Sequence, residues 1–435
     1  MSSPRRVVIT GLGLISPLGN SPEALWQALA TGTSGVRPLK SLPAEVLPTR
    51  IAGEALEFTG EAANFGPLEK DQQRAIKKAL KLMCREIQMG VAAAQLALNH
   101  ARLNPATIDR DRAGVVYGCD FTVTTPDEFA DGINRCRDEG GTFHVERWAA
   151  DGLKAVDPLW LLKYLPNMPN SHIAIFNDFR GPNNALTVRE ASSNLAISEA
   201  FTTIVRGSAD VMIAGSTGTR VHPVRTTHIV MQEEIAPGNG EPAQVSRPFD
   251  RERTGSVLGE GAGAIILEEL AHAQARGATI LGEVVGYGSS TVMDRSGRPH
   301  LQAALANVLR QSLATSGLSA AQVGHVHAHG LSTKACDIAE AEAIRGVFGE
   351  VAVPVTAAKS YFGNLGAASG IVETAASVLA LVHGKLFPIL NYTTPDPACP
   401  IHAARGNGQS PGDSFIHLNV TPQGQASAVA VRRFA

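Results

Sequence analysis

Short apolar strands alternate with amphipathic helices over nearly all of the 435 residues, which predicts an α/β fold. Two apolar strands, "VVITGLGLIS" near the start and "EVVGYGSSTV" near residue 283, each run into a Gly-x-Gly. Each heads a similar series of elements, pointing to an internal duplication whose halves meet near residue 270. Hydrophobic residues at 44% and charged residues at 18% supply enough apolar side chain for one large core.

The elements follow in order. "RRVVITGLG" reads as a buried strand with a turn at Gly11 and Gly13. "SPEALWQALATG" reads as a helix capped by Ser21, started by Pro22 and stopped by Gly32. Residues 72–103 read as one helical stretch, broken by Asn104-Pro105 before the strand "AGVVYG". Residues 121–180 carry scattered charges, two tryptophans and several prolines, and read as an insertion covering one face. "TVREASSNLAIS" is a strand end running into a helix, and the strands "ADVMIAGST", "GAGAIILEEL" and "TILGEVVGYGSS" come next. Leu301, Leu305, Val308, Leu309 and Leu313 then mark the core face of a helix. "VGHVHAHG" and "VPVTAAKS" are strands with helices after them, and "SFIHLNV" and "ASAVAVRRF" close the chain.

Several function classes drop out. A net charge of −2 argues against a nucleic-acid binder, which normally shows a basic stripe. Cysteines 84, 119, 136, 336 and 399 never form a C-x-x-C pair, and fit reduced thiols in a cytoplasm. No apolar run approaches the roughly 18 residues of a membrane span. The β-branched, glycine-broken opening reads as a first strand instead of a signal peptide. "GLGLIS" lacks the third glycine of a dinucleotide fingerprint, and neither a phosphate loop nor a G-x-S-x-G pattern occurs in the sequence.

"HVHAHG" places His325, His327 and His329 on one face of a strand, because side chains alternate along it. Three imidazoles there would hold zinc only with a further carboxylate or water, and no carboxylate partner is in view. One functional histidine at the strand end with two neighbours is the preferred reading, and no metal is expected.

Together, "VVITGLGLISPLG", "SRPFDRERTGSVLGEGAGAIILEE", "HAHGLSTKACDIAEAEAI" and "AAKSYFGNLGAASGIVETAAS" resemble the β-ketoacyl-acyl-carrier-protein synthases of the elongating, type II class. The resemblance runs in order and spacing from about residue 5 to the C-terminus. It implies a thiolase-like fold, with two duplicated βαβαβαββ halves (1–270 and 271–435) in a five-layered α-β-α-β-α core. It also implies a dimer, an acyl-carrier-protein partner and no cofactor. Such enzymes condense a cysteine-bound acyl chain with a decarboxylating malonyl thioester. Their site needs a thiolate activated at a helix N-terminus, two polar donors for the enolate, and an oxyanion hole.

Carried over residue by residue, the nucleophile position falls on Glu190, and Ser192 and Ser193 follow at the wrong place in the turn. His329 matches the first family histidine, Asn364 stands at the second, and Lys359 and Glu373 match the family's lysine–glutamate pair. A glycine-rich loop should follow Ser414-Phe415, but Ile416, His417 and Leu418 stand there, so Phe415 and His417 are the expected acyl-pocket gate. A carboxylate is comfortable at a helix N-terminus but carries no acyl group as a stable thioester. A negative Glu190 would oppose enolate formation, and two conditions would relieve this: protonation by burial, or neutralisation by His329 and Lys359.

Lys70, Arg74, Lys77, Lys78, Lys81 and Arg85 are spaced to share one helical face, either simply solvated or a dock for the acidic carrier protein. Three functions compete. The preferred one is a non-catalytic, chain-length-factor-like subunit paired with an active ketosynthase, with homodimer and heterodimer both open. The second is a residual malonyl-thioester decarboxylase or unusual acyltransferase using His329, Asn364 and Lys359. The third, a distant one, is a metal-dependent hydrolase on the face of His325, His327 and His329.

Overall fold

A computed structural model describes residues 5–120, 124–406 and 408–434. Its strands are β1 (Val7–Ile15), β2 (Arg37–Pro38), β3 (Ile51–Gly53), β4 (Ala113–Cys119), β5 (Asn183–Leu186), β6 (Val211–Thr219), β7 (Leu258–Glu269), β8 (Gly282–Thr291), β9 (His325–His327), β10 (Pro354–Thr356), β11 (His402–Ala403), β12 (Ser414–Val420) and β13 (Gln425–Arg432). Its helices are α1 (Pro22–Thr31), α2 (Lys70–Ala79), α3 (Arg85–His100), α4 (Asp127–Arg135), α5 (Met168–Asn177), α6 (Ser192–Val205), α7 (Pro223–Gln232), α8 (Leu270–Ala275), α9 (Leu301–Ser316), α10 (Lys334–Phe348), α11 (Lys359–Phe362) and α12 (Ser369–His383).

One strand pattern occurs twice. In the first half β1, β7, β6, β4 and β5 lie side by side, the first two pairings antiparallel and the last two parallel. In the second half β8, β13, β12, β9 and β10 follow the same sequence of pairings. β1 joins the halves, because residues 7–9 pair with β7 on one side and β8 on the other. Helices α3 and α5 pack outside the first half, and α9, with α10 beside it, outside the second. Helix α6 touches β4 and β6 but also β8 and β13, so the strand path folds around α6 and α12. The result is the five-layered α/β arrangement.

Ser21, Pro22 and Gly32 start and stop α1 as the sequence predicts, with Ser21 accepting from the Ala24 N–H and Gly32 left-handed. Other expectations need correcting. Gly11 and Gly13 lie inside β1, and Gly286 and Gly288 inside β8, so neither pair forms a turn. A β-carbon on Gly13 would stand 2.0 Å from the Ala93 carbonyl oxygen of α3, and one on Gly288 2.5 Å from that of Val308 in α9. Each glycine pair lets an outer helix lie directly on its strand.

The stretch 72–103 is two helices. The polar α2 stays at the surface, α3 is buried over most of its length, and a 3₁₀ turn (Leu80–Leu82) with extended Met83 carries the chain inward. Gly366–His383 is also an apolar run of 18 residues with mean hydropathy 1.3, which the sequence reading overlooked. It is 89% buried inside the protein, as a core helix should be. Within the expected insertion, α4 packs on the turns at 148–155 and α5 docks on α3 and β4. Residues 121–123 lie outside the described residues.

The glycine contacts lead to a paired prediction. Gly13→Ala should destabilise by about 3 kcal/mol or prevent folding, since over-packing backbone against backbone leaves nothing to yield. Gly346→Ala in α10 meets nothing within 4 Å. It should stabilise by about 0.5–1 kcal/mol through helix propensity and unfolded-state entropy. Urea unfolding of both variants checks the contrast, and similar shifts would refute it.

Candidate active site

Glu190 sits on a 3₁₀ turn (Arg189–Ala191) that runs directly into α6, and its side chain is 1% exposed. Arg189 before it has φ 48°. That left-handed backbone costs a residue with a side chain on the order of 1–3 kcal/mol. Glu190 Oε1 accepts from Arg220 Nη1 and, at 3.1 Å, from Asn364 Nδ2. Its Oε2 lies 3.5 Å from Arg189 Nε. Glu233, just beyond α7, closes the cluster: Arg189 donates to one of its carboxylate oxygens and Arg220 to the other.

Burial pushes the Glu190 carboxyl up, but Arg189 and Arg220, with a smaller contribution from His329, outweigh it and hold it at about 2. Glu190 is therefore ionised. Its neutralising partners are two arginines, which corrects the expectation that protonation or His329 and Lys359 would do this. Ser192 Oγ accepts from the Val188 N–H at 2.9 Å, and Ser193 Oγ bonds Ser216 and the Ala367 carbonyl, both at 2.6 Å. Both hydroxyls serve the turn and the helix.

A second cluster surrounds His329, just past the end of β9. Its own N–H and that of Gly330 donate to Glu340 of α10 at 2.6 and 2.8 Å, which fixes the backbone there. Its Nδ1 faces Lys359 Nζ and Asn419 Nδ2, each at 3.2 Å. Both partners are donors, so Nδ1 accepts and the proton sits on Nε2. Burial first, then the Lys359 charge, lowers its pKa to about 3, so the ring is neutral. Lys359 donates to Glu373 Oε1 at 2.5 Å, and Glu373 Oε2 takes Asn419 at 3.0 Å and His417 at 2.9 Å. Asn364 is aimed by its own Oδ1, which accepts from Gly366 N–H and Ser369 Oγ, both at 3.0 Å.

The structure thus brings Glu190, His329, Asn364, Lys359 and Glu373 together. His417 joins them, its Nδ1 facing Asn194 Oδ1 at 2.9 Å and Thr374 Oγ1 at 3.1 Å. Phe415 lies two residues back on β12, stacked on His325 with centroids 5.3 Å apart in the central core. Where a glycine-rich loop was expected, β12 pairs with β13 without interruption as far as Val420.

The three-histidine metal face does not form. His325 Nδ1–H donates to the Pro411 carbonyl at 2.8 Å, so its Nε2 accepts from Ser377 at 3.0 Å. Ser377 in turn accepts from His327 Nδ1 at 2.8 Å, while His327 Nε2 accepts from the Ala358 N–H at 3.1 Å. Every nitrogen of these two rings is already bonded.

The basic face also changes. Lys70, Arg74, Lys77, Lys78 and Lys81 are exposed on α2 and the turn after it. Arg85 opens α3 and is tied to Glu260 at 2.7 Å and to the carbonyls of Phe58 and Ala55, both at 2.9 Å. It stands on a different helix from the other five, beyond the bend, although its side chain is 40% exposed. Sequence reasoning missed Arg220, Glu233 and Asn419, which stand in no motif.

The β-ketoacyl synthase N-terminal domain pattern matches residues 4–273, and the C-terminal domain pattern residues 281–393. The chain belongs to the β-ketoacyl synthase family. It is 32% identical over 414 residues to 3-oxoacyl-[acyl-carrier-protein] synthase 2 of Synechocystis, covering 93% of this chain and 92% of that protein. The enzyme of the same name from Coxiella burnetii is 33% identical, with 91% of each chain covered. Among solved structures, a β-ketoacyl synthase from Burkholderia phymatum matches with TM-score 0.84 and 28% identity, over 99% of this chain and 100% of that one. The ishigamide ketosynthase/chain length factor matches with TM-score 0.82 and 26% identity over 100% of both chains. A type II polyketide ketosynthase in complex with its acyl-carrier protein matches with TM-score 0.82 and 25% identity, again over 100% of both.

The neutral His329 sets a pH dependence. Its folded pKa of about 3 lies below the ordinary imidazole value, so from about pH 6.5 down to about 3 the unfolded chain binds the extra proton and this residue's contribution to stability is lost as the pH falls. The unfolding free energy of His329→Gln should therefore change less steeply with pH in that window than that of the wild type. Identical slopes in urea titrations would contradict the assignment.

Proposed function

We propose that this ketosynthase-fold chain is a non-catalytic, chain-length-factor-like partner of an active ketosynthase in fatty-acid or polyketide synthesis. The observation that carries the reading is Glu190. By motif order it stands at the family's nucleophile position, and as an ionised carboxylate paired with two arginines it does not hold an acyl group as a stable thioester. The halves 1–270 and 271–435 act as one unit. The structural similarity to a ketosynthase/chain length factor supports a paired state.

His329 Nε2–H and the Asn364 amide favour a second reading, a malonyl-thioester decarboxylase, because both are donors suited to an enolate oxygen. The negative Glu190 beside them opposes that enolate at short range. His417, hydrogen-bonded through Nε2 to Glu373, stands at the gate position that the family resemblance implies.

One experiment separates the readings. Incubated with malonyl- and acyl-carrier protein, the wild type should show no covalent adduct by intact-protein mass spectrometry and carbon dioxide release at background. Glu190→Gln should release carbon dioxide faster, and Glu190→Cys should acylate slowly but condense poorly. Release by the wild type well above background, abolished in Glu190→Gln, would make Glu190 a working catalytic group and end the subunit reading.

The exposed basic residues of α2 and its following turn are the proposed carrier-protein dock. Reversing Lys77, Lys78 and Lys81 to glutamate should weaken carrier-protein binding at least about tenfold, and wild-type affinity should fall with salt. A titration with unchanged dissociation constant would remove the dock from this face.

A further inference from the structure

Glu233 lines a cavity of 220 Å³ whose other walls include Leu301, Leu331, Cys336, Val420 and Pro422, with the carboxylate Glu234 also among them. Behind it stand Arg189 and Arg220, and behind them Glu190. Each oxygen of Glu233 takes one guanidinium, so its carboxylate is clamped from both sides. The Glu233 side chain is 9% exposed and that of Arg220 only 2%. Glu233 follows the last turn of α7 with extended backbone, held there by its N–H to the Ile229 carbonyl.

We infer that Arg189 and Arg220 form a clamp for the carboxylate of an aliphatic ligand entering through this cavity, with Glu233 as its built-in competitor. The charges set the demand. Two guanidiniums face two carboxylates, and the neighbouring Asp120 is itself paired with Arg225 at 3.5 Å. If Glu233 turns out along the cavity, the two arginines lose one of their two directly paired carboxylates, and an incoming anion restores the balance. A carboxylate suits the paired forks better than a single point charge would. The apolar part of the wall, Leu301, Leu331, Val420 and Pro422, suits a hydrocarbon chain behind it. Two sources share this chemistry: a free carboxylic acid, or a thioester whose acyl group ends in a second carboxylate. The site does not depend on the subunit reading, because the clamp would hold the same ligand in a working enzyme.

Calorimetric titration of the full chain tests this with four probes: octanoate and its neutral control octanamide, and succinyl-pantetheine with its neutral control acetyl-pantetheine. Removing the internal competitor in Glu233→Gln should tighten binding of a carboxylate probe at least about tenfold over wild type, with the neutral probes unchanged. A gain for octanoate alone identifies a free acid, and a gain for succinyl-pantetheine alone identifies a thioester. Arg220→Gln in the Glu233→Gln background should abolish the gain. Should Glu233→Gln fail to fold, Glu233→Asp withdraws the carboxylate by one methylene and should shift binding in the same direction. Equal affinities for wild type and variant, or an equal gain for the neutral probes, would overturn the clamp.

Discussion

The first turns of α6 and nearly all of α12 are shut between two layers of strands and almost wholly buried. Every polar side chain there must find its partner inside the protein, because an unpaired buried polar group costs about as much as a lost hydrogen bond or more. This constraint organises the site. Ser193, Asn194, Asn364 and Glu373 each end on a defined donor or acceptor from a different element. Two ionised carboxylates, Glu190 and Glu373, are tolerated for the same reason, each with a cation in direct contact. Taking such charges out of water costs several kcal/mol apiece, and close pairing with extra hydrogen bonds offsets it.

The same enclosure separates the two rings of the "HVH" strand from His329. His325 and His327 face a serine of α12 and are consumed by it. His329, one step past the strand end, faces Lys359 and Asn419 and keeps one N–H for other use. Alternation along a strand places three imidazoles on one side, but neighbouring elements decide which of them has a bond to spare.

Much of the architecture was legible because it is written locally. Strand alternation, the Ser-Pro…Gly frame of α1 and the repeated Gly-x-Gly all act within a few residues. The glycines announced the duplication correctly, although they serve helix contact and not a turn. Motif order likewise brought Glu190, His329, Asn364, Lys359 and Glu373 to one place. Arg220 and Glu233 were invisible because their pairings span 30 residues to Glu190 and 44 residues from Arg189, with no period to betray them. The break between α2 and α3 was missed for a related reason. Helical spacing continues through it, and only the change from surface to core demands the bend.

Strand β1 has a further consequence, one that concerns time. Val7 pairs with Glu269 and also with Val284, so a strand made well before its partners is among the last to find its place. Until that distant partner emerges, an apolar edge with open backbone groups stays exposed, and contacts this remote in sequence form slowly. During synthesis the chain therefore carries an unfinished first half until β7 and β8 have been made. Its safe production rests on whatever shields that edge in the interval.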